Sequence, residues 1–198
     1  ADVKICGISS PVDYQACCAA GARWVGMVYY PGSPRHLDIS ALASLADQIE
    51  KLPSAGPHRV LLTVDQTLAS LRALIHASRP DFLQLHGQET VNFAIAIKAE
   101  FGLPIIRMIP IETSADLAAC SRWDGVADWL IFDAKVAEGT QPGGTGHRFD
   151  WTILSHYQGR TPWMLAGGLT IDTVAEAVTV SGTVAVDVSS GVEHQRGK

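Results

Sequence analysis

Trp163-Met164-Leu165-Ala166-Gly167-Gly168-Leu169 and Thr183-Val184-Ala185-Val186-Asp187-Val188-Ser189-Ser190-Gly191-Val192-Glu193 decide how the chain is read; a helix-like run from Thr170 to Ser181 separates them. Each stretch is a short apolar run that breaks into small residues. Such a run suits a strand buried on both faces, as in a parallel sheet. Gly167, Gly168 and Gly191 leave backbone N–H groups accessible, and Ser189 and Ser190 add hydroxyl donors. One such turn is an ordinary strand-to-helix connection. Two in succession, ending the last two strands, form a cradle for an anion, most simply a phosphate.

Working outward, the same unit repeats. Strand-like runs at Val3–Cys6, Trp24–Tyr30, Arg59–Val64, Asp81–Leu85, Pro104–Ile109 and Asp128–Phe132 alternate with helical patterns. Ser10-Pro11 reads as a helix start. Leu42, Leu45, Ala46, Ile49 and Leu52 recur at helical spacing. Thr90 to Phe101 reads as a helix that Gly102 ends, Ser114 to Ser121 as a weaker one, and Asp150 as the cap of a short one. A long glycine-rich connection, Gly139 to Gly146, follows the sixth strand. Eight strands alternating with helices predict an α/β fold, a closed (β/α)₈ barrel forming a single domain over residues 1–198. No G-x-G-x-x-G follows the first strand, which weakens the doubly wound, dinucleotide-binding alternative. After the eighth strand only His194 to Lys198 remain, so the final helix is missing from the pattern. The expectation is a shortened chain or a flank covered by a partner.

Composition narrows the partners. Of the 198 residues, 47% are apolar and 18% charged, which is globular. A net charge of −5 with no Lys/Arg cluster argues against nucleic acid. No apolar run approaches the roughly 20 residues of a membrane span. No signal-like pattern opens the sequence. Cys6, Cys17, Cys18 and Cys120 show neither a zinc spacing nor a disulfide framework, so no metal is expected and a reducing cytoplasm is the simplest setting.

In a barrel of this kind chemistry sits at the C-terminal strand ends. Cys6, Arg35, Gln84, His86, Arg107, Asp133 and Asp187 collect there with the glycine-serine turns. Alternation puts Lys4 and Cys6 on one face, Gln84 and His86 on another, and Arg107 between Ile105 and Ile109. Each residue also has a plainer reading. Cys6 could be a small buried hydrophobe, Asp133 a helix cap, His86 a backbone partner and Arg35 a solvated surface arginine. Together, an acid, a thiol and a cation on one rim suit acid–base work on an anion. A carboxyl that donates a proton near neutral pH needs its pKa raised by burial or nearby negative charge. A thiol that accepts a proton needs a lowered one, and Lys4, on the face of Cys6, is a candidate cation for that.

These residues carry a resemblance. Lys4-Ile5-Cys6-Gly7-Ile8, Tyr30-Pro31-Gly32-Ser33-Pro34-Arg35, Leu83-Gln84-Leu85-His86-Gly87 and Phe132-Asp133-Ala134-Lys135 resemble the motif set of phosphoribosylanthranilate isomerases. So do Gly143-Gly144-Thr145-Gly146 with Phe149-Asp150-Trp151, Leu165–Leu169 and Asp187–Glu193, in family order across nearly the whole chain. The resemblance implies a cofactor-free Amadori rearrangement of N-(5′-phosphoribosyl)anthranilate in tryptophan biosynthesis, with Asp133 as general acid and Cys6 as general base. It further implies that Arg35 holds the anthranilate carboxylate, with Gln84, His86, Arg107 and Asp187 near the substrate. Gly144, Gly167, Gly168, Ser189, Ser190 and Gly191 would take the phosphate. The protein would act as a monomer or homodimer. Two rival readings are a histidine-pathway sugar isomerase, which would carry aspartate where Cys6 stands, and a non-catalytic phosphate-binding relative. The family usually continues past the Ser-Ser-Gly-Val-Glu motif with a Pro-Gly-x-Lys-Asp segment and a helix, and here His194-Gln195-Arg196-Gly197-Lys198 follows instead.

Overall fold

The computed structural model describes residues 1–53, 56–135, 150–195 and 197. Eight parallel strands close into a barrel in chain order: β1 (Asp2–Cys6), β2 (Trp24–Tyr29), β3 (His58–Thr63), β4 (Phe82–Leu85), β5 (Ile105–Ile111), β6 (Trp129–Ala134), β7 (Trp163–Leu165) and β8 (Ala185–Val188). β1 closes the ring between β2 and β8, with Lys4 beside Trp24 on one flank and Asp187 on the other.

Helices α1 (Pro11–Ala19), α2 (Ile39–Glu50), α3 (Leu68–Ser78), α4 (Val91–Phe101) and α5 (Val174–Ser181) lie outside the sheet. The starts of α1 to α4 follow from short polar side chains that satisfy otherwise unpaired amides. Ser10 and Asp13 form a reciprocal capping box ahead of Pro11, and Asp38, Thr67 and Thr90 each accept an amide of the first turn. The expected apolar stripe of α2 is realised, with Leu42, Leu45, Ala46 and Ile49 all buried.

Strand alternation divides the apolar residues into two layers. Val25, Met27, Leu61, Leu83, Leu85, Ile105, Leu130, Phe132, Leu165 and Val186 belong to the main core packed under the helices. Trp24, Val60, Ile106, Met108, Ile131, Met164 and Ala185 form a second cluster inside the barrel. Cys6, Val28 and Leu62 form a small third cluster farther along the strands.

Three details differ from the sequence pattern. The weak helix after β5 is a 3-10 helix, Ser114–Trp123, as is the short one capped by Asp150, Trp151–His156. α5 begins at Val174 and not Thr170, because Thr170 and Thr173 bond each other's backbone and side chains in a preceding turn. β6 runs two residues past Phe132, which puts Asp133 on a strand, in register with Pro110. Among the described residues β8 leads into a 3-10 turn, Ser190–Val192, and no α-helix follows.

Leu83 is fully buried in the layer between sheet and helices. Truncating it by Leu83→Ala should lower the unfolding free energy by about 2–5 kcal/mol, measured by chemical denaturation.

Candidate active site

The interior of the barrel above its apolar cluster is polar, and its centre is an ion pair. Lys4 is wholly buried, and its Nζ donates to Asp187 Oδ1 at 2.8 Å from the neighbouring strand. The space is made by Gly26 on the other flank of β1. A Cβ there would lie 2.8 Å from Cys6 Sγ and 3.3 Å from Lys4 Nζ, so any side chain would displace both. Burial works against the Lys4 ammonium, but Asp187 and then Cys6 more than offset it, and its pKa stands above the ordinary value.

Asp133 comes into this interior from β6. Burial, and then the charge of Asp187, push its carboxyl up to about 7 against the Ala134 N–H and Lys4. The Ala134 amide donates to Asp133 Oδ1 at 2.8 Å. The acid thus sits in the protonation range that proton donation near neutral pH requires. Cys6 departs from expectation. Burial raises its thiol pKa, and Lys4, which pulls it down, is itself opposed by Asp187. The cation foreseen beside the thiol is present, but its charge is shared with a carboxylate.

Gln84 and His86 come inward from β4 and its end. The Gln84 Nε2 lies 3.0 Å from His86 Nδ1. With the amide donating, the ring proton falls on Nε2. Burial first, then Lys4 and Arg107, lower the His86 pKa to about 3, so the imidazole is neutral. Arg35 follows β2 and is buried; its guanidinium embraces Glu193, with Nε on Oε1 and Nη2 on Oε2 at 2.7 Å.

Arg107 is a correction to the sequence-derived set. It shares its parity with Ile105 and Ile109, both in the core under the helices, and so leaves the barrel on the outer face. There its guanidinium donates to Glu89 Oε2 at 2.6 Å and Gly87 O at 2.8 Å and lies 5.0 Å from the Trp123 ring centroid. Glu89 in turn accepts the amides of Gly87 and Asp65. The pair braces the loops after β3 and β4 from behind. Glu89 and Glu193 were missed in the sequence; the only signal for Glu193 was its place closing the Ser-Ser-Gly-Val-Glu motif.

The turns after β7 and β8 lie against each other. Gly191 passes so close to Leu169 that a Cβ would sit 1.9 Å from the Leu169 carbonyl oxygen. Gly167 has φ +91°, and a Cβ there would meet Ala134 N at 2.9 Å and Asp133 Oδ1 at 3.1 Å. Gly167, Gly168, Ser189, Ser190 and Gly191 are all partly exposed on this rim, while Gly144 lies outside the described residues. Among the described residues no group of three or more His, Cys, Asp or Glu is placed to hold a metal, and no helix is long and apolar enough to cross a membrane.

The family model for N-(5′-phosphoribosyl)anthranilate (PRA) isomerase matches residues 3–198. The chain belongs to the phosphoribosylanthranilate isomerase family. It is 45% identical over 197 residues to the N-(5′-phosphoribosyl)anthranilate isomerase of Rhodopseudomonas palustris strain BisA53, covering 99% of this chain and 88% of that one. It is 47% identical over 196 residues to that of Nitrobacter hamburgensis, covering 98% and 85%. The solved phosphoribosylanthranilate isomerase of Thermus thermophilus superposes with a TM-score of 0.83 at 28% identity, covering all of this chain and 91% of that one. A structure of the enzyme in complex with reduced 1-(o-carboxyphenylamino)-1-deoxyribulose 5-phosphate superposes with a TM-score of 0.81 at 25% identity, with the same coverage. Like these relatives, the chain is an isomerase built on a (β/α)₈ barrel.

Since Arg107 neutralises a buried carboxylate away from the interior, Arg107→Met should cost about 3 kcal/mol of stability by stranding Glu89. Its KM, measured on folded protein, should match the parent's.

Proposed function

We propose that this chain converts N-(5′-phosphoribosyl)anthranilate to 1-(2-carboxyphenylamino)-1-deoxyribulose 5-phosphate, the isomerisation step of tryptophan biosynthesis, without a cofactor. What carries the reading is one observation: Asp133 and Cys6 both interact with the buried Lys4–Asp187 pair, the first a carboxyl raised to about 7, the second a thiol beside a cation.

Asp133 donates its proton to the furanose ring oxygen. The C1′–O4′ bond breaks, and the anilino nitrogen lone pair forms the C1′=N⁺ bond of an iminium. The Cys6 thiolate removes the C2′ proton, and the C–H electrons form a C1′=C2′ bond as the iminium π electrons return to nitrogen. The resulting enolamine becomes the ketone when C1′ gains a proton and the C2′ hydroxyl loses one. Arg35, with a planar fork suited to carboxylates, takes the anthranilate carboxylate. Gln84 and His86 line the pocket, and Asp187 holds Lys4 beside the thiol. The backbone donors of Gly167, Gly168, Ser189, Ser190 and Gly191, with Gly144, take the phosphate. A thiol raised by burial supplies few thiolates at neutral pH, so Lys4 is what keeps that fraction useful.

The direct test follows loss of phosphoribosylanthranilate fluorescence on adding the protein. The parent should turn over, and Asp133→Asn and Cys6→Ser should each lower kcat by about 10²–10⁴-fold. Equal turnover in parent and Asp133→Asn would remove Asp133 from the acid role; no turnover in the parent would remove the reaction.

The pH dependence has a defined sign. The acid must be protonated, so its active fraction is lost as pH rises through about 7; the base must be ionised, so its active fraction is lost as pH falls. Because the Asp133 carboxyl near 7 lies below the Cys6 thiol, which burial raises from its ordinary 9.0, the active pairing is a minor protonation state. A plot of kcat/KM against pH should be bell-shaped, with the acidic limb inflecting near 7 as Asp133 titrates and the alkaline limb set by Cys6. Lys4→Met should raise the Cys6 titration midpoint; a thiol titration unchanged by it would dismiss the cation's role.

A further inference from the structure

The Arg35–Glu193 pair joins two parts of the rim that the substrate's two ends would occupy. Arg35 sits in the loop after β2, where its backbone N–H donates to Ser33 Oγ at 3.1 Å. Its side chain lies on Gly7, just past Cys6; a Cβ on Gly7 would come 2.3 Å from Arg35 Cδ. Glu193 closes the turn after β8, and its carboxylate accepts three donors: Arg35 Nε, Arg35 Nη2 at 2.7 Å and the Gly197 N–H at 3.0 Å. The Glu193 amide donates to Ser190 O at 3.4 Å, and Gly191 in the same turn is wedged on Leu169. β2 and β8 are the two neighbours of β1, so the link spans the strand that carries Cys6.

The geometry of the fork decides what Glu193 does. It occupies the Nε/Nη2 edge of the guanidinium, and Nη1 has no partner among the described residues. A guanidinium has two edges able to accept a carboxylate in bidentate fashion. An internal carboxylate on one edge fixes the plane and direction of the other and leaves it free. Both groups are largely buried, with side-chain exposures of 6% and 11%, so the orientation is held with little solvent screening.

We propose that Glu193 is a positioning residue that aims the free edge of Arg35 at an aromatic carboxylate and ties that seat to the phosphate turn, so that the two ends of the substrate bind cooperatively. This rests on the reading of Arg35 and the β7–β8 turns given above. Neither end of the substrate touches Glu193. A carboxylate on Arg35 stiffens the Ser190–Glu193 turn through it, and an anion on that turn stiffens Arg35 in return, because coupling between sites is reciprocal.

Calorimetry on the parent, with anthranilate and inorganic phosphate as separate probes at fixed pH and ionic strength, measures the coupling. Each should tighten the other about fivefold or more. In Glu193→Gln that factor should fall to one, phosphate alone should bind more weakly, and KM for phosphoribosylanthranilate should rise about tenfold with kcat changed much less. The double variant Arg35→Gln/Glu193→Gln should have the KM of Arg35→Gln alone, since Glu193 acts only through Arg35. Independent binding of the two probes by the parent overturns the proposal without any variant. So does a KM in Glu193→Gln that is unchanged or lower, the latter marking Glu193 as a competitor for Arg35. Absence of turnover by the parent would instead defeat the substrate reading, and the phosphate affinities of parent and Glu193→Gln would still decide whether Glu193 supports the turn.

Discussion

The ion pair between Lys4 and Asp187 is the constraint that the site is built around. Two charges taken from water cost several kcal/mol each, and only close geometry with further partners offsets that cost. Here the geometry is set by the sheet itself: parallel register places Lys4 of β1 directly beside Asp187 of β8. Gly26, across β1 on β2, keeps the Nζ and the Cys6 sulfur from being crowded out. The pair then acts electrostatically on both neighbours. Burial shifts all three groups first; beyond it, Asp187 raises Asp133 further, Lys4 restrains the rise of Cys6, and Lys4 adds to what keeps His86 neutral. One buried pair thereby biases the protonation of a carboxyl, a thiol and an imidazole.

Around that centre the rim is organised by close backbone contacts. Gly191 against Leu169 joins the last two turns, and Gly167 brings the β7 turn against Asp133 and Ala134. Arg35 over Gly7 reaches from β2 across β1 to Glu193. The apolar interior cluster of Trp24, Val60, Ile106, Ile131 and Met164 fills the barrel below and leaves the polar side chains at one end. On the outside, Glu89 and Arg107 brace the loops that follow β3 and β4.

Much of this was legible because local rules and tertiary structure agree. The helix starts at Ser10 and Thr90, and the apolar stripe of α2, are read from short windows. The shared face of Lys4 and Cys6 followed from period two, as did that of Gln84 and His86. Arg107 shows where that rule runs out. Ile105 to Ile111 is apolar on both sides, so no polar–apolar alternation marks which parity faces inward, and position at a strand end misled. Glu193 and Glu89 were missed for a different reason. Glu193 is 158 residues from Arg35 in sequence, and a pairing across that distance leaves no local pattern. The thiol lies higher than its role requires because burial outweighs Lys4, and Asp187, which already claims Lys4, adds to the rise; neither burial nor that second partner is visible in the spacing of Lys4 and Cys6.

Burial and the charge of Asp187 keep a large fraction of the Asp133 carboxyl protonated near neutral pH. The most direct measurement is a titration of that carboxyl by isotope-edited infrared or carbon NMR, in the parent and in Asp187→Asn. The midpoint is expected near 7 in the parent and clearly lower when the neighbouring charge is removed. A midpoint near the ordinary 3.8 in the parent, or one that Asp187→Asn leaves in place, would contradict it.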